Sequence, residues 1–373
     1  MDFNLTEQEK MLQQAAKDFA DKSVRPLAAE IDHANRFPMD LAQEMGKLGY
    51  RGLPFPPRYG GAGAGYLSYV LALEQICQAS VTVGAIMAIN TVQEEAIFRF
   101  GNEEQKKRVL TPLAQGKLLG CMAFTEPETG SDPRAIVTTA RKTIGGYVVN
   151  GQKQFISYAG AADRALLFAK QKDKGIDVFL LDTATKGVHV SEPYDTLGLR
   201  GLGTASIDLD DVFVAQEDLL YEEGRGFDVL LEAISLGRLG AAVEALALAE
   251  ESLDLSLKFA RERRAQGKPI ARLPTIQWHL AEMASRIEAA RWLVYRTAFL
   301  RDQGQNIRHE SSVAKLFATQ MAVEVTRMAM QVHGSYGTMA SMTIERLYRD
   351  AKMLEIYVGV SEIQRSIIAG GLI

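Results

Sequence analysis

The chain of 373 residues has little cysteine, little histidine and no large excess of either charge. Cys77 and Cys121 are too few for a disulfide framework and lie in no paired-cysteine motif, so we expect two buried thiols. The five histidines do not have the spacing of metal ligands, and the sequence therefore predicts no metal site. They are His33, His189, His279, His309 and His333.

The charge balance and the apolar runs exclude further classes of protein. Lys and Arg total 42 against 46 Asp and Glu, and no segment gathers enough basic residues to cover a polyanion. No apolar run approaches the roughly 18 residues of a membrane span, and the first turn begins acidic instead of basic and then apolar. The sequence predicts no nucleic-acid partner, no membrane span and no export signal, which leaves the cytoplasm as the expected location.

Apolar residues make up 47% of the chain, enough to bury a large core. Because 373 residues exceed what one core usually organises, we expect about two to three domains or one large composite fold.

Hydrophobic spacing divides the chain into three regions, 1–118, 119–222 and 223–373. The first is helical and opens with a capping box of Thr6 and Glu9. In the second, short β-rich stretches alternate with turn residues, and Asn150-Gly151 is typical of a hairpin turn. The third has long helical segments near 227–264, 274–303, 309–333 and 342–354. Strands gathered in the middle favour an α+β fold over a doubly wound dinucleotide fold.

Two clusters contain residues suited to ligand binding. The first, AFTEPETGSDPRA at 123–135, groups hydroxyl and N–H donors around Thr125, Gly130 and Ser131, which suits a phosphate or a polar ring edge. The second is QVHGSYG at 331–337, followed by ERLYRDAK at 345–352. Taken alone, the first cluster is more typical of an ordinary turn between strands, and the second is compatible with a helix end followed by a salt-bridged helix.

In this order and separation, the two clusters resemble both sequence signatures of the acyl-CoA dehydrogenase flavoprotein family. The resemblance covers essentially the whole chain and implies a short- or medium-chain-like member. It implies an N-terminal helical domain, a central β-barrel-like domain and a C-terminal four-helix domain, with FAD between the β-domain and the last helices. The other matching segments are MDFNLTEQEK at 1–10, GQKQFIS at 151–157, LGLRG at 197–201, RERRAQGKPI at 261–270 and EIYVGVSEIQR at 355–365.

The resemblance also implies how FAD is held. Hydroxyls of Thr125 and Ser157 would donate to the flavin ring, and Arg263 would contact the pyrophosphate, although its charged neighbours alone would predict a solvated helix face. The segment 331–335 would contact the adenosine side, in the family often of a neighbouring subunit's FAD, which implies a homo-oligomer, either a tetramer or a dimer. The implied cofactor residues are Met122, Phe124, Thr125, Gly130, Ser131, Phe155, Ile156, Ser157, Arg263, Gln331, Gly334, Ser335, Val360 and Glu362, and the implied thioester contacts are Ser131, Ser235, Arg238, Tyr357 and Gly359.

In this family a carboxylate removes the substrate's α-proton, and this chain departs from that pattern. Most members carry the Glu between a Tyr and a Gly, where this chain has Val358, and a minority carry it just before an Arg, where this chain has Gly237. A valine side chain cannot accept a proton. The sequence therefore leaves the catalytic residue unknown.

Glu244 is the nearest candidate by position along the chain. It lies seven residues past Gly237, on almost the same helix face and about 10 Å along the axis, which is too far for the same proton. Further along an acyl pocket it would favour a polar or cationic acyl tail. The alternative is that Glu244 is simply paired or exposed.

Three functional hypotheses follow. The first is an FAD-dependent oxidoreductase acting on the Cα–Cβ bond of an acyl-CoA or carrier-protein thioester, with a non-standard proton acceptor and an electron-transferring flavoprotein as partner. The second keeps FAD but has divergent chemistry, an elimination or an oxygen-dependent reaction. The third is a catalytically silent subunit of a hetero-oligomeric dehydrogenase.

Overall fold

The computed structural model describes residues 4–172 and 174–373, and its first part is helical. Residues 1–3 of the MDFNLTEQEK segment lie outside the described residues. The predicted capping box is confirmed, since Thr6 Oγ1 accepts the Glu9 N–H at 3.3 Å and the Glu9 carboxylate accepts the Thr6 N–H at 2.6 Å. The helices of this part are α1 (Glu7–Phe19), α2 (Ala28–Ala34), α3 (Met39–Lys47), α4 (Gly65–Ala79), α5 (Val81–Phe100), α6 (Glu103–Gln105) and α7 (Thr111–Ala114).

The middle part is a seven-stranded sheet in the order β1-β4-β2-β3-β7-β6, with β5 paired to β4. Pairing is parallel between β1 and β4 and antiparallel between β3 and β7. Along β7 the side chains of Ile207 and Leu209 are buried while Asp208 and Asp210 are exposed, the period-two pattern of a half-buried strand. The strands are β1 (Gly120–Ala123), β2 (Thr139–Thr143), β3 (Gly146–Ile156), β4 (Arg164–Gln171), β5 (Gly175–Asp182), β6 (Val188–Val190) and β7 (Ala205–Ala215).

The prediction of a hairpin turn at Asn150-Gly151 was wrong. Strand β3 runs through both residues, and the turn that joins β2 to β3 contains Gly145, with a φ of 78°. Gly151 has a φ of 149° and lies where the register of β3 against β7 shifts. A Cβ at this position would lie 2.6 Å from Thr138 Oγ1, so the glycine permits an irregular strand packed closely on its neighbour.

The last part is again helical, with the boundaries predicted from spacing to within a few residues. Helix α8 contacts α4 and α5 of the first part as well as α9 and α10. Its alanines from 241 to 249 are buried. No helix within the described ranges is both long and apolar enough to cross a membrane. The elements are α8 (Gly226–Glu262), β8 (Arg264–Ala265), β9 (Lys268–Pro269), α9 (Pro274–Asp302), α10 (Arg308–His333), α11 (Thr343–Ile356) and α12 (Ser361–Gly370).

Helix α8 also starts against the sheet. A Cβ on Gly226 would lie 2.6 Å from the Ile176 carbonyl of β5, so the missing side chain lets the helix begin directly on the strand. The structure therefore confirms the predicted order of a helical part, a central sheet and a second helical part. Helix α8, in the second helical part, contacts both the sheet and the first helical part.

Candidate functional site

A cavity of about 370 Å³ opens where β1, α5, the first half of α8 and the turn after α11 meet. Its walls are mostly apolar. The structure brings the first predicted cluster together with the EIYVGVSEIQR segment, although the two lie far apart in sequence. The sequence-predicted residues that line it are Met122, Phe124, Thr125, Gly130, Ser131, Phe155, Ser157, Gly237, Arg238, Tyr357, Val358 and Gly359.

Three hydroxyls face this cavity, those of Thr125, Ser131 and Ser157. None of them has a hydrogen-bond partner within the part of the chain that the structure describes. Phe155 adopts a φ of 57° and its side chain is 60% exposed. Apolar walls with a few free donors suit a flat ring that has polar edges.

The second predicted group lies elsewhere. Arg263 follows the end of α8, with its guanidinium 5.5 Å from the ring centre of Tyr336. Gly334 ends α10 with a φ of 58°, and Gln331 and Ser335 flank it in sequence. Because α8 runs unbroken from Gly237 to Glu262, a rise of 1.5 Å per residue puts the two groups about 38 Å apart in one chain.

Besides the group around Arg263, four further implied FAD and thioester contacts do not line the cavity. Ile156 is buried in the sheet, and the Ser235 hydroxyl donates to the Leu231 carbonyl at 2.7 Å within α8. Val360 and Glu362 lie at the start of α12.

The two base positions face each other in the cavity. A Cβ on Gly237 would lie 2.9 Å from Val358 Cγ1, so a side chain from either position reaches the same point. Val358 has a φ of 55°, which is strained for a β-branched residue. Lys315 Nζ holds this turn by donating to the carbonyls of Glu355 and Gly359, each at 2.9 Å.

Glu244 is fully buried and lies behind Tyr357. Its Oε2 accepts the Tyr357 hydroxyl at 2.6 Å, and its Oε1 has no partner among the described residues. Burial raises the pKa of Glu244 to about 8, opposed by the Tyr357 hydrogen bond. Glu244 does not line the cavity itself, but it lies one hydrogen bond away from it.

The apolar wall of the cavity was not predicted from the sequence. The wall includes Ala88 and Val92, four residues apart on α5, and Leu230 and Ile234, which precede Gly237 on the same side of α8. Helical spacing identifies each as a buried stripe, but it does not show which stripe borders a ligand. No group of three metal-ligating side chains occurs in residues 4–172 and 174–373.

Comparison with known proteins gives three consecutive family matches. Models of the acyl-CoA dehydrogenase N-terminal, middle and C-terminal domains match residues 6–117, 121–212 and 224–373. The chain is 42% identical to an acyl-CoA dehydrogenase of Bacillus subtilis (strain 168), over 98% of each chain. Butyryl-CoA dehydrogenase of Megasphaera elsdenii has a TM-score of 0.98 at 35% identity, with full coverage of both chains. A structure described as the electron transferring flavoprotein of Acidaminococcus fermentans has a TM-score of 0.99 at 36% identity, again with full coverage.

Solved structures with this fold hold FAD or its reduced form, and FAD is the cofactor of this chain. The cavity fits the flavin, since the free hydroxyls of Thr125, Ser131 and Ser157 stand beside apolar walls. Gly130 allows the main chain to approach, because a Cβ there would meet only Thr125 Cγ2, at 3.5 Å.

Proposed function

Because the chain belongs to the acyl-CoA dehydrogenase family, we propose that it changes the Cα–Cβ bond of an acyl thioester with a non-standard proton acceptor. It is an FAD-dependent oxidoreductase of the acyl-CoA dehydrogenase type. The contact between Gly237 and Val358 carries the proposal, because the two usual base positions converge in the cavity and neither holds a carboxylate. When bound, FAD supplies the acceptor for the β-hydride.

The residues of the chain then have defined tasks. The apolar walls from α5 and α8 exclude water from the acyl group, and the hydroxyls of Thr125 and Ser157 orient the flavin ring. Lys315 keeps the turn at Val358 closed over the cavity. The α-proton must leave to a group other than residues 237 and 358, because neither side chain can accept it.

The thioester carrier and the electron partner are proposed from relatives, and the oligomeric assembly from the length of α8. We assign coenzyme A or a carrier protein as the thioester carrier, and an electron-transferring flavoprotein as the partner, on the similarity to the Acidaminococcus structure. The separation of about 38 Å between the cavity and Arg263 supports a homo-oligomer, since an extended dinucleotide does not reach that far. Two free, buried cysteines support a cytoplasmic location.

Glu244 supports a substrate with a polar or cationic acyl tail as a second candidate. Its Oε1 is buried without a partner among the described residues, behind Tyr357, which lines the cavity. A buried acceptor without a donor is unfavourable, and an ammonium or hydroxyl on the acyl tail would relieve it. Glu244→Gln should weaken the binding of an amine-ended acyl-CoA relative to butyryl-CoA, and equal losses for both would refute the assignment.

Anaerobic bleaching of the flavin by a panel of acyl-CoAs tests the proposed function. Val358→Glu should speed bleaching by butyryl-CoA by at least about 100-fold, since a positioned base typically contributes that much. If no thioester bleaches either the wild type or the variant, the dehydrogenase proposal fails. Co-purification with a base-bearing homologous chain would instead support a silent subunit.

A further inference from the structure

Arg238 is a buried cation that has no counter-ion in residues 4–172 and 174–373. Its side chain lines the cavity next to Gly237, and only 4% of its surface is exposed. Among the described residues it has no ion pair and no hydrogen bond through its guanidinium, and its buried Nε has no acceptor. Buried charges are usually paired, because desolvation without a partner is costly.

Two more cations, Arg308 and Lys315, lie near Arg238, and their positive charge favours the binding of an anion there. Burial lowers the pKa of Arg238 to about 10, and Arg308 acts in the same direction. The Nε of Arg308 is itself buried without an acceptor. Burial lowers the pKa of Lys315 to about 8, and Arg238 acts in the same direction while Glu355 and Glu362 oppose it. Among the described residues the Lys315 ammonium donates only to the carbonyls of Glu355 and Gly359.

Arg238 also lies beside the two positions where the family carries its catalytic carboxylate. Arg238 follows Gly237 directly, and a Cβ on Gly237 would contact Val358 Cγ1, so the guanidinium lines the same cavity as the two base positions. A carboxylate is the anion whose planar pair of oxygens matches a guanidinium. It is also the group that both positions lack.

Resting on the proposed function, we propose that Arg238 binds a carboxylate brought by a ligand, and that this carboxylate accepts the α-proton. The carboxylate belongs either to the acyl group itself or to a separate small acid. The α C–H bond breaks as its proton goes to a carboxylate oxygen, and the β-hydrogen leaves with its electron pair to FAD. The Cα–Cβ double bond forms, and the acid later returns its proton to solvent.

The two sources are distinguished by anaerobic bleaching of the FAD-loaded protein. Butyryl-CoA is tested with formate or acetate against chloride at equal ionic strength, and succinyl-CoA and glutaryl-CoA are tested in chloride alone. At least about tenfold faster bleaching in formate or acetate identifies a separate acid, because a charge-assisted bond is worth about that factor. A similar advantage of the acidic acyl-CoAs over butyryl-CoA identifies the acyl carboxylate. Equal rates throughout overturn the proposal.

Arg238→Met should abolish the faster bleaching seen with a carboxylate. Arg238→Lys should keep part of it, because the charge remains without the planar pair of donors. Arg141→Met, at an exposed position on β2, is the matched control and should behave as wild type. If Arg238→Met keeps the full advantage, Arg238 does not bind the carboxylate.

A binding measurement gives a readout that does not depend on turnover. The affinity of the variant proteins for succinyl-CoA and butyryl-CoA is measured by calorimetry and expressed as a ratio. If the carboxylate belongs to the acyl group, Arg238→Met should reduce this ratio by at least about tenfold. If it belongs to a separate acid, acetate should bind to the wild type but not to Arg238→Met.

Val358→Glu separates this proposal from the proposed function. Butyryl-CoA without added carboxylate could bleach the flavin of Val358→Glu, while neither added acids nor acidic acyl-CoAs speed bleaching of the wild type. The thioester reaction would then stand, and only the role of Arg238 would be overturned. If Val358→Glu is also not bleached, the failure lies in the proposed function.

Discussion

Two residues at or directly behind the cavity have an unfavourable backbone or environment for their type. Val358 is a β-branched residue with a positive φ, and Glu244 is a carboxyl with no surface exposure. Backbone strain and a buried carboxyl persist only where the surrounding structure holds them, and here Lys315 and Tyr357 provide that support. Val358 lines the cavity and Glu244 lies one hydrogen bond behind it, through Tyr357, and strongly perturbed groups cluster at functional sites.

Glu244 should make the stability of the protein depend on pH. Its pKa is raised to about 8 from a value of 4.5, so the folded protein keeps the proton after the unfolded chain has lost it. Its stabilising contribution is full below pH 4.5 and is lost as the pH rises to about 8, by about 1.4 kcal/mol per pH unit. Glu244→Gln, which keeps an acceptor for Tyr357, should remove this loss.

Unfolding free energies of wild type and Glu244→Gln, followed across this pH range, provide the measurement. The variant should gain on the wild type as the pH rises, by up to about 5 kcal/mol over the full range. Parallel pH profiles would show that Glu244 is ionised in the folded protein.

At the scale of elements, α8 is shaped by close contacts that replace side-chain packing. Gly240 lies one turn beyond Gly237, and a Cβ there would be 3.2 Å from the Cβ of Ala88 on α5. Glycine costs a helix up to about 1 kcal/mol relative to alanine. The close approach of α5 and α8 accounts for a glycine at this position of the helix.

Gly240→Ala should therefore fail to stabilise the protein, although alanine is the better helix former. In the double variant Ala88→Gly, Gly240→Ala, the contact is relieved. A double-mutant cycle on unfolding free energies should give a favourable coupling of about 1 kcal/mol. Additive effects would mean that α5 and α8 have room for the extra methyl group.

Helical spacing predicted the long helices well, because each buries a continuous stripe over many turns. It also placed Glu244 on the same face of α8 as Gly237, and both are buried. It could not predict the Tyr357–Glu244 pair, since those residues are 113 positions apart and meet only through packing. The Asn150-Gly151 turn was mispredicted for a related reason, because these residues pair with β2 and with the distant strand β7 instead of turning. Arg238 was predicted as a substrate contact, but that it has no partner among the described residues is visible only in three dimensions.

At the scale of the whole molecule, a few charged groups tie the three parts together. Arg349 on α11 donates to both oxygens of Asp32 on α2, at 2.9 and 2.7 Å, and to the Leu197 carbonyl at 3.1 Å. Asp350 beside it is buried and accepts the Leu199 N–H at 2.7 Å. The segment around Leu197 therefore links the sheet to both helical parts.

Arg349→Met should lower the free energy of unfolding by about 1–3 kcal/mol, because it breaks a partly buried bidentate pair. Arg286→Met is the matched control, since Arg286 pairs with Glu282 and Glu324 on an exposed helix surface. That variant should cost less than about 1 kcal/mol. Equal losses in urea unfolding would show that the Arg349 contacts add nothing beyond a surface pair.

The length of α8 has a consequence for how copies of this chain depend on one another. If each flavin lies in one subunit's cavity while its adenosine end meets the Arg263 of another, damage at one end of the helix disables a neighbour's site and spares its own. A Ser157→Ala, Thr125→Ala chain and an Arg263→Ala chain would each be inactive alone. If the two chains are co-expressed, they would form mixed assemblies. Some flavin sites would then combine an intact cavity from one chain with an intact Arg263 from the other, and flavin retention would partly return.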